Sequence, residues 1–352
     1  MIEKLLQGDY GDIKLVHVRM EYSKGMDQVG KFQLNKLVEL LKVIFKIIYA
    51  RFAHHIQVLY YPPSGPDMIP FFRDILTLVP TRWLFKRTIF HFHASGLMYL
   101  YDRLSPFMKS LFRIVYYNPD ASIRTSEFTP EDAKAIRSKR EYIIPYGIED
   151  CYLEYQDLRC RESHTPVNIL FIGVLRPSKG IDVLLQASTI LLKKELPFHI
   201  SIMGKFHTQE YEKEVLEYVQ DHHIGATISF LGELSGDAKW KTFASSDIFC
   251  FPTYFESEAF SVVLVEALSF GLPIVSTNWR GIPSMVQDGV CGFLVPIRDA
   301  LAVADKLEVL IRDPEIRRSF GDHSRQRYLD MFTIKKYHQH LHRVFQDVLS
   351  TC

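Results

Sequence analysis

The chain has 352 residues, of which 47% are hydrophobic and 24% charged. These values are typical of a globular chain with two ordinary domains, and they exclude a disordered, collagen-like or disulfide-stapled protein. The net charge of +1 excludes a protein that binds nucleic acid through a large overall positive charge. The charge is uneven, because residues 1–150 carry 21 Lys and Arg against 16 Asp and Glu, whereas the remainder carries 21 against 25.

Cysteine usage and hydropathy indicate where the protein works. The five cysteines are an odd number without a Cys-x-x-Cys pair, which favours a reducing compartment over a disulfide framework or a zinc site. The N-terminus is too polar for a signal peptide, and the most apolar stretch, residues 37–52, is interrupted by four charged residues. We therefore expect a cytoplasmic protein.

Short β-branched or aromatic runs alternate with helical stretches along the whole chain, which predicts stacked β–α–β units and parallel sheets. The predicted strands of the first half are Ile13–Val18, Ile56–Tyr61, Thr88–His93, Ser122–Ser126 and Tyr142–Pro145. Those of the second half are Asn168–Ile172, His199–Met203, Thr227–Leu231, Asp247–Phe251 and Ile274–Thr277. A polar stretch between Gly147 and Pro166 predicts domains of residues 1–155 and 156–337, with a C-terminal helix (about 338–352) returning to the first domain.

The first half has a basic, aromatic-rich segment. Residues 37–52 predict an amphipathic helix with basic side chains, and between Arg51 and Arg113 eight Lys and Arg stand against three Asp and Glu. Such a surface suits peripheral contact with an anionic membrane or a lipid-diphosphate acceptor. A solvated helix face packed on the sheet fits the same pattern, so both interpretations stay open.

Ligands of doubly wound sheets bind at the carboxyl ends of strands, where the second half carries a cationic loop. After Asn168–Ile172 come Gly173, Arg176 and Lys179, followed by a helical run. Glycine lets the backbone approach a diphosphate and the cations neutralise its charge, although a solvated basic turn has the same composition. The glycine spacing and the residue after the lysine exclude a P-loop.

Two glutamates follow the strand Asp247–Phe251. Ser261 is the predicted N-cap of a helix Val262–Ser269, which places Glu258 just before the helix and Glu266 inside it among apolar residues. A buried glutamate needs partners, either a pair of ligand hydroxyls or a buried cation with a purely structural role. The helix N-terminus favours phosphate through the amides of Phe260, Ser261 and Val262.

The spacing Glu258-x7-Glu266, followed by Ala-Leu-Ser-Phe-Gly-Leu-Pro and by Gly281-Ile-Pro283, resembles the retaining glycosyltransferases of family 4 (group 1). That resemblance covers residues 165–335 and extends more weakly to His91-Phe-His93. It implies an α/β GT-B fold, in which two Rossmann-like, doubly wound parallel-sheet domains face each other across a cleft. It also implies transfer of a hexose-type sugar from a nucleotide-sugar (NDP-sugar) to a glycan or lipid-linked acceptor in cell-surface polysaccharide biosynthesis.

The resemblance further implies roles for individual residues. Lys179 is similar to the lysine that contacts the donor phosphates, Glu258 to the carboxylate at the sugar hydroxyls, and Glu266 to the one at the ribose. His93 matches the histidine beside the sugar, with His91 as its competitor, so the expected catalytic residues are His93, Lys179 and Glu258. The other expected donor-binding positions are Gly173, Arg176, Gly204, Leu234, Phe260, Ser261 and Val262.

Two departures keep alternatives open. The family has Arg directly after the first glycine of the cationic loop, where this chain has Val174 and carries Arg176 two positions later. The segment before Ile13–Val18 resembles the end of the family's first helix, so we expect the opening strand of the first domain to be absent. A catalytically weakened nucleotide-sugar-binding protein and a GT-B epimerase are the alternative functions. The chain has no Asp-x-Asp motif, and no metal is expected.

Overall fold

The computed structural model describes residues 2–20, 34–63, 65–94, 96–158 and 165–350. The chain divides into unit 1, comprising Met1–Pro145 and Lys335–Cys352, and unit 2, comprising Tyr146–Ile334. The predicted boundary after residue 155 therefore lies within unit 2, and residues 159–164 of the predicted polar stretch lie outside the described residues.

Unit 1 is built on four parallel strands, ordered β1-β2-β3-β4 in the sheet. The strands are β1 (Val58–Tyr61), β2 (Arg87–His91), β3 (Ala121–Arg124) and β4 (Glu141–Ile143). The helices are α1 (Ile2–Leu6), α2 (Leu34–Ala53), α3 (Met68–Thr81), α4 (Leu97–Arg103), α5 (Pro106–Tyr116) and α6 (Asp132–Ala135). The strands and the inner faces of α3 and α5 share one apolar core.

One predicted strand of unit 1 is wrong. Residues 13–18 carry no regular secondary structure, and no strand precedes Val58 in the part of the chain that the structure describes. Ile13, Leu15 and Val18 are half-buried while Lys14 and His17 are exposed. The apolar alternation therefore indicates an extended segment with one half-buried side. Such a segment is not by itself a strand, because a strand also needs a neighbouring strand to form hydrogen bonds with.

Unit 2 contains six parallel strands in the order β10-β9-β8-β5-β6-β7. The strands are β5 (Val167–Ile172), β6 (Phe198–Met203), β7 (Ile228–Gly232), β8 (Ile248–Phe251), β9 (Ile274–Thr277) and β10 (Gly292–Val295). The helices are α7 (Tyr152–Tyr155), α8 (Ile181–Lys193), α9 (Gln209–Asp221), α10 (Gly236–Ala244), α11 (Val262–Ser269), α12 (Ile282–Met285), α13 (Ala300–Arg312) and α14 (Pro314–Met331), and the chain then continues into α15 (Ile334–Leu349), which returns to unit 1. Every predicted strand of this half is present, and β10 was not predicted.

The strand order of unit 2 indicates where a ligand crevice is expected. The chain runs outward from β5 through β6 and β7, then returns to the other side of β5 to form β8, β9 and β10. This is the doubly wound order, in which the switch point lies between the two central strands, here β5 and β8. Both central strands are almost wholly buried, as expected for a parallel sheet covered by helices on both faces.

Helix α15 belongs to unit 1 from Lys335 onward. The ring of Phe345 contacts Tyr10 and Tyr60, with centroids 5.2 and 6.0 Å apart. His338 Nε2 lies 2.7 Å from the carbonyl oxygen of Lys4 in α1. The C-terminal helix therefore packs against the start of the chain and against β1.

A buried carboxylate holds α3 and α5 to the sheet of unit 1. Asp74 is fully buried and accepts hydrogen bonds from the hydroxyls of Tyr61 and Tyr116, each at 2.8 Å. Arg73 Nη2 lies 2.9 Å from the same carboxylate. Such a group is stable only while its partners are in place, because an unpaired buried charge or hydroxyl costs several kcal/mol.

We expect Asp74→Ala to lower the free energy of unfolding by about 3–5 kcal/mol, since it leaves two buried tyrosine hydroxyls without their acceptor. Urea-induced unfolding measures this loss. Asp67→Ala is the matched control, because Asp67 is exposed and its side chain makes no capping hydrogen bond, so a change within ~0.5 kcal/mol is expected. Equal losses in the two variants would contradict the assigned role of Asp74.

Candidate donor-binding site

The loops that follow β5 and β8 are joined directly at the switch point of unit 2. Tyr254 N donates to Ser178 O at 2.8 Å, across the two loops. Gly180 has a φ of +82°, and a Cβ atom at this position would lie 2.1 Å from the carbonyl oxygen of Pro252. Only glycine permits this approach, which seats the cationic loop on the β8 loop just before α8 begins.

The two loops also meet through an ion pair. Lys179 Nζ lies 2.5 Å from Glu258 Oε2, and both side chains are largely buried. Thr253 Oγ1 donates to the same carboxylate oxygen at 3.1 Å. These two residues lie on loops that are far apart in sequence, and the fold brings them together at the carboxyl edge of the sheet.

An aromatic ring that the sequence analysis missed supports both cations of the first loop. The Lys179 ammonium lies 4.7 Å from the ring centroid of Phe255, and the Arg176 guanidinium lies 5.0 Å from it. Cations at this distance are attracted to the ring face. Val174, where the resembling family carries arginine, is exposed. Arg176 is therefore the second cation held beside Lys179.

Helix α11 begins at Val262, as predicted, with Ser261 at the N-cap. The Ser261 side chain makes no capping hydrogen bond. Ser261 therefore occupies the N-cap position without its hydroxyl accepting a hydrogen bond from a helix amide. The ring of Phe260 packs edge-on against Tyr146 at 5.1 Å, so its side chain has a structural role. Backbone amides at this end of the helix remain the groups suited to an anion.

Glu266 lies in the interior of α11 and has a cationic partner. Lys239 Nζ, on α10, lies 2.6 Å from Glu266 Oε1, and the lysine also lies over the ring of Trp240 at 4.5 Å. Lys239 comes 27 residues earlier in the chain, so no local spacing pointed to it. Of the two kinds of partner considered for Glu266, the cation is therefore present in the structure.

The remaining expected donor-binding positions lie along the same sheet edge. A Cβ atom on Gly204 would lie 1.8 Å from the carbonyl oxygen of Gly173, and Gly204 has a φ of +147°. Gly173 N in turn donates to Met203 O at 3.1 Å, which ties the ends of β5 and β6 together. Leu234 is half-buried and packs against the apolar core beyond β7. The backbone is thus closely packed where a nucleoside is expected to approach.

His93 lies in unit 1, just beyond the end of β2. Its ring is half-buried and lies 4.4 Å from that of His91, which is fully buried beside the Tyr60 hydroxyl. Burial lowers the pKa of His93 to about 4 and that of His91 well below 6.5. Both imidazoles are therefore neutral near pH 7, and His91 is the structural member of the pair.

The loop that carries His93 is anchored by a residue that the sequence analysis missed. The buried carboxylate of Asp132 accepts hydrogen bonds from Gly96 N at 2.7 Å and from Met98 N at 3.1 Å, at the start of α4. Burial raises the pKa of Asp132, and these backbone hydrogen bonds oppose the rise. Asp132 therefore sets the path of the chain directly after His93.

No group of three or more His, Cys, Asp or Glu is arranged to hold a metal ion within the described ranges of the chain. Cys151, Cys250 and Cys291 are not joined in disulfides. None of the helices in the described part of the chain has the length and apolarity of a membrane span.

Residues 160–327 match the family model of glycosyl transferases group 1. The chain is 28% identical over 70% of its length to O-antigen chain mannosyltransferase C of Escherichia coli, of which it covers 65%. It covers 34% and 39% of two further curated relatives, so it spans less than two thirds of the length of these proteins.

Solved structures share the fold at low identity. The glycosyltransferase from Rickettsia africae ESF-5 aligns with 92% of this chain and 84% of its own, at a TM-score of 0.72 and 15% identity. Anabaena HepE in complex with UDP aligns with 88% and 82%, at a TM-score of 0.66 and 17% identity. The chain has the GT-B fold, with two Rossmann-like domains.

We expect Gly204→Ala to destabilise the protein by about 2–4 kcal/mol, because the new methyl group meets a backbone oxygen and the residue keeps a positive φ. Gly232→Ala is the control, since Gly232 also has a positive φ but no atom lies within 4 Å of its Cβ position. That variant should lose only about 1 kcal/mol. Thermal unfolding of both compares the losses, and equal values would show that the approach to Gly173 has no energetic importance.

The lowered pKa of His93 predicts a pH dependence of stability. Between pH 6.5 and about 4 the unfolded chain takes up a proton at this position and the folded chain does not. Stability therefore falls as the pH falls through this window. We expect His93→Asn to lose less stability than the wild type between pH 7 and 4.5, as measured by urea midpoints. His17→Asn, at an exposed histidine, should follow the wild type, and an unchanged profile in His93→Asn would contradict the prediction.

Proposed function

We propose that this protein is a retaining, family 4 glycosyltransferase that moves a hexose-type sugar from a nucleotide-sugar to a glycan or lipid-linked acceptor. The proposed setting is cell-surface polysaccharide biosynthesis on the cytoplasmic side of a membrane. The observation that carries this proposal is the Lys179–Glu258 ion pair at the switch point of unit 2. The group 1 family match over residues 160–327 and the polysaccharide enzymes among the relatives support it.

In this proposal the cations act on the leaving diphosphate. Lys179, with Arg176 beside it, neutralises the charge that develops as the bond between the anomeric carbon and the phosphate oxygen breaks. Amides of Phe260, Ser261 and Val262 at the start of α11 add hydrogen bonds to phosphate oxygens. The electron pair of the broken bond goes to the phosphate, so stabilisation is needed on that side of the reaction.

The carboxylates bind hydroxyls rather than attack carbon. Glu258 accepts hydrogen bonds from the transferred sugar, and Glu266 accepts them from the ribose while it keeps Lys239 as its cation. Gly173, Gly204 and Leu234 line the nucleoside. Retention then follows from same-face displacement: the acceptor hydroxyl oxygen forms the new bond, and its proton passes to the departing phosphate. His93, neutral near pH 7, contributes a hydrogen bond to the sugar and carries no positive charge.

The exchange of partners at Lys179 follows from its charge. Without donor, Lys179 and Glu258 neutralise each other in a largely buried setting. When a diphosphate enters, it supplies the lysine with a new anionic partner, and the sugar hydroxyls supply the glutamate with hydrogen-bond donors. The pair therefore keeps both side chains in place between turnovers.

We expect Glu258→Gln and Lys179→Ala to lower the rate of donor-dependent nucleotide release by about 10²–10³-fold, because each removes a charge from the proposed site. A panel of nucleotide-sugars is first tested for thermal stabilisation, and the stabilising donor is then assayed with candidate acceptors. Circular dichroism checks that the variants remain folded. Glu256→Gln is the matched control, since Glu256 is exposed two residues earlier in the same loop.

The outcomes separate the alternatives. Near wild-type turnover by Glu258→Gln and Lys179→Ala would reject the assigned site. Thermal stabilisation by a donor without any product would favour a nucleotide-sugar-binding protein. Release of a rearranged sugar without acceptor would favour an epimerase.

A further inference from the structure

Lys239 is a largely buried lysine in the first turns of α10. It is the fourth residue of the helix, and only 20% of its side chain is exposed. Its ammonium nitrogen lies 2.6 Å from Glu266 Oε1 on α11. Lysine is almost never buried unless it is paired, so the contact with Glu266 accounts for the depth of this side chain.

Aromatic rings also restrict the position of the lysine. Lys239 Nζ lies 4.5 Å from the ring centroid of Trp240 and 5.9 Å from that of Phe243. Both rings stack on Phe270, at the end of α11, with centroids 6.0 and 5.3 Å away. The rings therefore join α10 to α11 and attract the cation that lies between the two helices. A lysine held by a carboxylate and by packed rings has few alternative positions.

Helix α10 begins directly after the loop that is expected to face the nucleoside. Strand β7 ends at Gly232 and α10 begins at Gly236, so the loop has three residues, with Leu234 in the middle. Gly204 N donates to Gly232 O at 2.8 Å, which ties the start of this loop to the end of β6. Lys239 follows the loop by one turn of helix. The lysine is therefore connected to the expected nucleoside position by a short and well-anchored stretch of chain.

The contact with Lys239 determines how the Glu266 carboxylate is oriented. Lys239 donates to Oε1, and Oε2 is buried as well. When one oxygen of a carboxylate is held, rotation of the group is restricted and the direction of the second oxygen is set with it. A carboxylate has about four acceptor positions, so two neighbouring hydroxyls of a ligand can bind while the lysine stays in place.

We propose that Lys239 is a positioning residue for ribose recognition, which makes the site select ribonucleotides over 2′-deoxyribonucleotides. Lys239 acts through Glu266, whose carboxylate it directs at the adjacent hydroxyls of the ribose. This inference rests on the proposed function, in which Glu266 accepts hydrogen bonds from the ribose of the donor. A site built to bind a hydroxyl discriminates against a ligand that lacks it, because a buried polar group then loses its partner.

A purely structural ion pair would have a different consequence. If Lys239 only held α10 against α11, its loss would lower stability and would weaken ribonucleotides and 2′-deoxyribonucleotides alike. Positioning of Glu266 predicts a selective loss, in which binding of the ribonucleotide weakens and binding of the 2′-deoxy form changes little. The ratio of the two dissociation constants therefore separates the two roles.

The test is calorimetric titration of the full chain with UDP and GDP and with the 2′-deoxy form of each. We expect the wild type to bind the tighter of the two ribonucleotides roughly tenfold more tightly than its 2′-deoxy form, from the loss of one strong hydrogen bond. Lys239→Met should reduce this ratio to less than about threefold, because the carboxylate is no longer directed at the ribose. Lys239→Arg should keep most of the wild-type ratio, since it restores a cation at this position.

A double-mutant cycle tests whether Lys239 acts through Glu266. We expect Glu266→Gln to reduce the ratio as far as Lys239→Met does, and the double variant to reduce it no further, because both changes remove the same interaction. Additive losses would show that Lys239 contacts the nucleotide by itself, and would overturn the positioning role.

Lys241→Met is the matched control, since Lys241 lies two residues later on α10, is exposed and pairs with Asp237 at 2.8 Å. This variant should keep the wild-type ratio. An equal fall in Lys241→Met, or an unchanged ratio in Lys239→Met, would overturn the inference. Circular dichroism checks the fold of each variant. If Lys239→Met does not fold, the same fall is expected in Lys239→Gln, whose shorter side chain carries no charge to Glu266.

Failure of this inference is distinct from failure of the proposed function. Binding of UDP or GDP by the wild type without any preference for the ribose form would reject the role of Lys239 and leave the donor site in place. Absence of binding for both nucleotides would reject the proposed function, and this inference with it.

Discussion

The ion pair between Lys179 and Glu258 is the interaction on which the candidate site of unit 2 depends. Two charges with little solvent exposure are stable only if each remains paired, since burying one alone costs several kcal/mol. The chain order alone leaves these residues 79 positions apart. Adjacent placement of β5 and β8 at the switch point, and the close seating of Gly180 on Pro252, bring them within hydrogen-bonding distance. Sheet topology therefore produces the pair, and the pair in turn holds both side chains at the carboxyl edge of the sheet.

Glu266 illustrates a second way of keeping a carboxylate inside a helix. It lies among apolar residues of α11 and receives a lysine from α10, a helix on a different segment of the chain. Lys239 in turn lies over Trp240, so its charge is stabilised by a carboxylate and an aromatic ring together. A structural partner and a ligand-binding role are compatible here, because an ionised carboxylate has about four acceptor positions.

The sequence was sufficient where local pattern and topology agree. Buried strands such as β5 and β8 read as apolar runs bounded by turns, and the helix Val262–Ser269 was placed correctly. Alternation of apolar and polar residues was insufficient at Ile13–Val18. It indicates a half-buried extended segment, but it does not show whether a neighbouring strand is available for pairing. It also missed Gly292–Val295, which begins with glycine, has only its two end residues fully buried, and gains its pairing from β9. Lys239, Phe255 and Asp132 were missed for a related reason: each acts on a residue distant in sequence, and only the fold brings them together.

The near-zero net charge conceals two different uses of the same residue types. Around the candidate site of unit 2, the cations Lys179 and Lys239 are matched to carboxylates, and Arg176 lies over an aromatic ring. On the helical layer of unit 1, lysines such as Lys46 and Lys86 are exposed beside apolar side chains. Phe45 and Trp83 are exposed there as well and lie outside the buried core. The overall composition of the chain does not distinguish these two environments. They differ in the burial and the charge partners of the individual side chains.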